Sequence, residues 1–255
     1  MAFVTLDGQQ VYYRSSINDL TGRKPPLVLI HGAGGTHMHW PAHLRRLPDW
    51  NVYSLDLPGH GKSTGPGYRN IGGYREAVYD FCRALGLDRV VLAGHSMGGA
   101  IALDFARHFP GRTAGLVLVG TGARLRVAPA LLEGLRGDLP ETAQLITDWT
   151  HDRGTSPQLK RIYRQRLLQN QPHVVLGDFQ ACDSFDLREE MAGIQAPALV
   201  VCGSNDIMTP PRLSEALAAT LPHARLVIVP QAGHMLPLER PEELADAVRR
   251  FLSAT

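Results

Sequence analysis

Four apolar residues, Val90 to Ala93, run straight into Gly94-His95-Ser96-Met97-Gly98-Gly99, and a helical pattern then continues to about His108. A short, wholly apolar run bounded by glycine reads as a strand buried on both faces. The G-x-S-x-G motif between a strand and a helix demands a turn tight enough to strain the serine. Gly94 and Gly98 leave room where side chains would collide with the neighbouring strand and helix. The N–H of Met97 points from a helix N-terminus, a place that favours negative charge. The pattern also arises by chance in a chain with 26 glycines, so its flanks carry the weight.

The same alternation extends along the chain. Residues 2–6 and 10–14 read as strands around a turn at Asp7-Gly8. Leu27–Ile30 is a strand ending in His31-Gly32-Ala33-Gly34-Gly35, and Val52–Leu57 one ending in Asp56-Leu57-Pro58-Gly59-His60-Gly61. Arg75–Leu85 carries Ala77, Val78, Phe81, Cys82 and Leu85 at helical spacing, with Gly86 as C-cap. Leu116–Val119, Ala198–Cys202 and Leu226–Val229 are further strands; Pro211–Thr220 and Pro241–Phe251 are helices. Apolar strands alternating with helices imply a parallel sheet covered on both faces. The rhythm breaks from Thr121 to about Ile194, where Ala130–Leu135, Thr142–Trp149 and Leu159–Leu168 are helical and no strand is convincing. The expected organisation is an α/β core from 1–121 and 196–255, interrupted by a helical insertion over 122–195.

Composition narrows the function classes. There are 26 basic and 24 acidic residues, and no Lys/Arg run exceeds two, so no basic patch for nucleic acid is visible. No apolar stretch approaches the ~20 residues of a membrane span. The N-terminus lacks a basic and then apolar leader. Cys82, Cys182 and Cys202 are unpatterned and read as reduced, mostly buried thiols of a cytoplasmic protein. His37, His39 and His43 crowd one loop without acidic or cysteine ligands. They read as solvated, and no metal is expected.

Taken with the residues downstream of Ser96, these motifs resemble the α/β-hydrolase family over essentially the whole chain. The branch is the compact, cofactor-independent one that holds small carboxylesterases, enol-lactone hydrolases, non-haem haloperoxidases and carbon–carbon bond hydrolases. His31-Gly32-Ala33-Gly34-Gly35 matches the family's HGxxG loop, and Asp56 to Ser63 its D-x-x-G-x-G-x-S segment, which is structural there. The resemblance implies a mostly parallel eight-stranded sheet flanked by helices, with a helical cap inserted after the sixth strand. The family order is Ser, acid, His. Asp206, in Gly203-Ser204-Asn205-Asp206, follows the first strand after the insertion, and His234 follows the last strand. The implied triad is Ser96, Asp206 and His234, with Asp183 and Asp186 as fallback acids. The implied oxyanion donors are the N–H groups of Ala33 and Met97. His31 and His95 read as loop braces. Met38, Trp40 and Trp149 are candidate substrate-pocket walls, with core packing the alternative for the first two.

The expected activity is cleavage of small or medium-chain carboxylic esters through an acyl-enzyme, without a cofactor. A lactonase or enol-lactonase is the nearest alternative. A carbon–carbon hydrolase fits less well, because His39 stands where those enzymes carry asparagine. A ligand receptor with residual hydrolysis is the non-enzyme alternative, told apart by a single burst in place of turnover. The expected partner is a small ester or lactone, and the chain a monomer or homodimer. Near-neutral charge fits a neutral substrate.

Overall fold

The computed structural model describes residues 2–254. Its centre is an eight-stranded sheet in the order β1-β2-β4-β3-β5-β6-β7-β8. The strands are β1 (Ala2–Leu6), β2 (Gln9–Ser16), β3 (Leu27–Ile30), β4 (Val52–Leu55), β5 (Val90–His95), β6 (Thr113–Val119), β7 (Ala198–Gly203) and β8 (Ala224–Val229). Pairings of β1 with β2 and of β2 with β4 are antiparallel; the rest are parallel. The turn at Asp7-Gly8 takes positive φ at both residues, as a tight hairpin requires.

Ten α-helices are described: α1 (Ala42–Arg45), α2 (Ile71–Ala84), α3 (Met97–His108), α4 (Pro129–Gly137), α5 (Leu139–Thr150), α6 (Pro157–Leu167), α7 (Pro172–Ser184), α8 (Pro211–Thr220), α9 (Leu236–Glu239) and α10 (Pro241–Leu252). The central strands look uniformly apolar because their two faces meet different layers. Val28, Ile30, Leu92 and Leu118 pack with α2, α3 and α8. Leu27, Leu29, Val91, Val117 and Val119 pack with α1 and α10. The period of two thus persists inside a wholly buried run.

Helix α2 begins a turn earlier than its apolar spacing predicts. Asn70 caps it, accepting the Gly73 N–H at 2.7 Å, and Ile71 and Tyr74 are already buried. Four helices, α4 to α7, fill the stretch between β6 and β7. Three of them match the predicted helical patterns; α7 does not. It is buried on almost every side, so it carries no amphipathic stripe. Ala181 and Cys182 join the cluster around α3, while Val175 and Phe179 join one with α5, α6 and Met235. The inserted helices therefore share a core with the sheet domain. Their base is closed where the Leu187 N–H donates to Ala123 O at 2.8 Å, beside a bridge between Arg124 and Asp186.

Register places the carboxyl ends of the central strands side by side. Ile30 pairs with Gly94, His95 with Val119, and Gly203 with Val229. Ligand sites of open α/β sheets form outside such ends.

Candidate active site

Between Val90 and Ala106 every residue is buried except Ser96. Its backbone sits at φ 53°, ψ −117°, a strained conformation for a residue with a side chain, of a kind that costs about 1–3 kcal/mol and persists only where the surroundings enforce it. Three hydrogen bonds do so. The Ser96 N–H donates to Val119 O at 2.9 Å, and its carbonyl accepts from Gly99 N at 2.8 Å and Thr121 Oγ1 at 2.9 Å. The flanking glycines are sterically required. A Cβ on Gly94 would run into the Gly98 carbonyl, and one on Gly98 into the Ile30 carbonyl.

His234 follows β8 and Asp206 follows β7, and the structure brings them together. His234 Nδ1 lies 2.8 Å from Asp206 Oδ2, with both side chains almost fully buried. The Asp206 carboxylate also accepts the Thr209 N–H and the Thr209 hydroxyl, each at 2.8 Å. Burial alone would raise its pKa; the neighbouring imidazole and the Thr209 donors outweigh burial and hold it below the ordinary carboxylate range. Sequence reasoning missed Thr209, although a threonine three residues after a turn aspartate is a local pairing signal. The fallback acids lie elsewhere: Asp183 accepts the Val127 N–H, and Asp186 pairs with Arg124 and Arg188.

The imidazole loop is braced twice. His95 Nε2 is 2.8 Å from His234 O. The Glu239 carboxylate accepts the Gly233 N–H at 2.5 Å and, from the inserted segment, the Asp152 N–H at 2.8 Å. His31 links the loop after β3 to that after β4, receiving the Leu57 N–H on Nε2 at 2.9 Å. In the segment beginning at Asp56, the carboxylate accepts from the backbone of His37 and Lys62 at 2.7 and 3.0 Å, an arrangement that organises loops.

No protein acceptor among the described residues takes the N–H of Ala33 or Met97. The loop carrying Ala33 is pinned from α7. Asp178, wholly buried, accepts the Gly34 N–H at 2.8 Å and the Tyr74 hydroxyl at 2.5 Å, and faces His60 Nε2 at 2.7 Å. Burial would lower the His60 pKa, but the Asp178 carboxylate overcomes this and raises it. Asn170 adds a bond from Nδ2 to Gly34 O at 2.9 Å.

Ser96, His234, Ala33 and Thr209 line one cavity of about 510 Å³. Met38, Trp40 and Trp149 do not line it. Trp40 is buried against Leu44 and Leu47 on the opposite face of the sheet. On α5, Ile146 and Thr150 line the cavity, whereas Trp149 is half-buried against the cluster of the inserted helices. The apolar wall comes instead from residues such as Leu125, Ile146, Phe179 and Met235. His37 and His39 are not solvated as predicted: His37 pairs with Asp56, while His39 is buried on the cavity wall and only His43 is exposed. Desolvation lowers His39 and His95 to pKa values of about 3, so both are neutral imidazoles.

Residues 25–241 match the family model described as the alpha/beta hydrolase fold. Among curated proteins, a pimeloyl-[acyl-carrier protein] methyl ester esterase of Nitrosomonas europaea is 27% identical over 89% of this chain and 96% of its own length. The dihydrolipoyllysine-residue acetyltransferase component of an acetoin cleaving system from Pseudomonas putida is 32% identical over 89% of this chain, which spans only 63% of that protein. Among solved structures, a thermophilic esterase from Thermogutta terrifontis with malate bound superposes with a TM-score of 0.86 at 29% identity, covering 99% of this chain and 96% of that one.

Proposed function

This chain belongs to the α/β-hydrolase fold family, and on that premise we propose that it is a serine hydrolase of small or medium-chain carboxylic esters. The observation that carries the reading is a buried His234–Asp206 pair whose imidazole lines the same cavity as a strained serine. Ser96 is the nucleophile, His234 the base and Asp206 the group that orients the imidazole. The inserted helices over 122–195 act as a cap on the site.

Neutral His234 takes the Ser96 proton as Oγ adds to the ester carbonyl. Asp206, kept ionised by its surroundings, fixes the Nδ1–H tautomer and stabilises the imidazolium. The N–H groups of Ala33 and Met97 receive the oxyanion; loss of one such donor costs about 3–4 kcal/mol. Collapse breaks the acyl–oxygen bond, and His234 returns the proton to the departing alcohol. Water then repeats the cycle on the acyl-serine, releasing the acid and restoring the Ser96 hydroxyl.

Replacing Ser96 by alanine abolishes p-nitrophenyl ester turnover and labelling by a fluorophosphonate probe. Labelling that survives Ser96→Ala rejects the assignment. The same assay run over rising acyl length, with simple lactones alongside, separates ester from lactone preference.

A further inference from the structure

The outer part of the cavity carries charge that the inner part lacks. Arg124, Arg126, Arg188 and Arg212 line it, and no carboxylate does. Arg126, Arg188 and Arg212 are exposed and Arg124 is partly so, whereas Ser96 and His234 lie at the inner end with buried neighbours. Asp186 is shared between two of the guanidiniums: Arg188 Nη2 at 2.8 Å and Arg124 Nε at 3.4 Å. One carboxylate thus answers two arginines. Arg126 and Arg212 have no ion-pair partner among the described residues. The adjoining groove adds Arg136 against Glu133 and Asp183. Five guanidiniums therefore face three carboxylates around this opening, counting Asp186. A local excess of that size equals the whole chain's net charge of +2.

Between this rim and Ser96 the wall is apolar, with Leu125, Ile146, Phe179, Leu213 and Met235. A ligand complementary to all three zones has an ester at one end, methylenes in the middle and an anion at the other end. We infer that the cavity selects half-esters of linear dicarboxylic acids, with the ester carbonyl at Ser96 and the free carboxylate held by Arg126 and Arg212. Arginine suits this, since its planar fork binds a carboxylate through two parallel hydrogen bonds. The inference rests on the serine-hydrolase reading for the ester end alone. Cleavage at that end consumes water and releases the ester's alcohol and the dicarboxylate.

The test compares monomethyl with dimethyl glutarate and adipate, which differ in the terminal charge. In the native protein kcat/KM favours the half-ester by at least about tenfold, the scale of a charge-assisted bond. The ratio collapses toward one in the Arg126→Gln, Arg212→Gln double variant, chiefly through KM. Both side chains are exposed and unpaired, so the fold tolerates the exchange. Calorimetry on Ser96→Ala reads the rim without chemistry: monomethyl adipate binds, and dimethyl adipate binds at least about tenfold more weakly. A native ratio near one, a ratio unchanged in the double variant, or binding matched by sulfate at equal concentration overturns the rim while leaving ester hydrolysis intact. Tight half-ester binding to a protein that turns over no ester leaves the rim standing and removes the hydrolase reading.

Discussion

At the scale of single residues, Ser96 stands in the strand-to-helix turn its motif predicts, and Asp206 and His234 in the loops after the strands that the family order names. Each is fixed by a local rule: a strand-to-helix turn with steric need for glycine, or the first loop after a named strand. Their supports were not legible, because they depend on what the fold brings near. Thr209 is one. Its hydroxyl donates to Asp206 at 2.8 Å and lies 3.1 Å from His234 Nδ1. In the proposed mechanism it is a positioning residue for the acid–imidazole pair. Thr209→Val keeps the shape and the backbone bond to Asp206 but removes a buried donor to a charged acceptor. Bonds of that kind contribute about 1.5–3 kcal/mol. Steady-state kinetics on a p-nitrophenyl ester should give a kcat lowered by about tenfold with KM little changed, and Thr209→Ser should restore most of it. Native kcat in the valine variant would remove Thr209 from the machinery. Trp40 illustrates the opposite failure. An aromatic side chain near a glycine-rich loop suits pocket and core equally, and only tertiary placement separates them.

At the scale of elements, the strands and most helices follow from periodicity, but α7 escapes it because both its sides meet protein. That missed helix carries the tie between the inserted segment and the loop bearing Ala33. The Asp178 carboxylate ends three donors at once: the Gly34 N–H, the Tyr74 hydroxyl and His60 Nε2. Burial, and then the Asp178 charge, raise the Tyr74 pKa far above the ordinary phenol value, so Tyr74 stays a neutral donor. Asp178→Ala leaves all three groups buried without a partner. Breaking a buried charged cluster from one side costs about 3–5 kcal/mol. Urea denaturation at neutral pH should show a loss of that order, and kcat should fall as the loop after β3 loses its anchor. A loss under about 1 kcal/mol would mean that Asn170, bonded to Gly34 O, holds the loop without Asp178.

At the scale of the whole molecule, composition averages over features that the fold segregates. The near balance of charge reads as fit for a neutral ester, yet the fold gathers an arginine excess at one opening. Histidine is segregated too. His31, His39, His95 and His151 are all buried, and desolvation lowers each pKa, His39 and His95 to about 3, His31 well below its ordinary value and His151 below it. An unfolded chain protonates the same residues near pH ~6.5. Folded values below unfolded ones mean that their contribution is intact above pH ~6.5 and is lost as the pH falls from there toward the folded values. His60 has the opposite sign: its raised value stabilises at low pH and loses effect as pH rises, so it adds nothing to acid lability. The depressed carboxyls of Asp56 and Asp206 add their share only below about pH 4, near the unfolded carboxyl value. Four protons taken up on unfolding give a slope of about 5 kcal/mol per pH unit, against a total stability of about 5–15 kcal/mol for ordinary domains. Urea denaturation at steps between pH 7 and 4.5 should therefore reveal a steep fall that begins near the free-histidine value, well before any carboxylate titrates. His39→Gln should flatten it by about one quarter, since one of the four protons is then missing. A stability profile level down to pH 5 would mean that these imidazoles accept protons in the folded state.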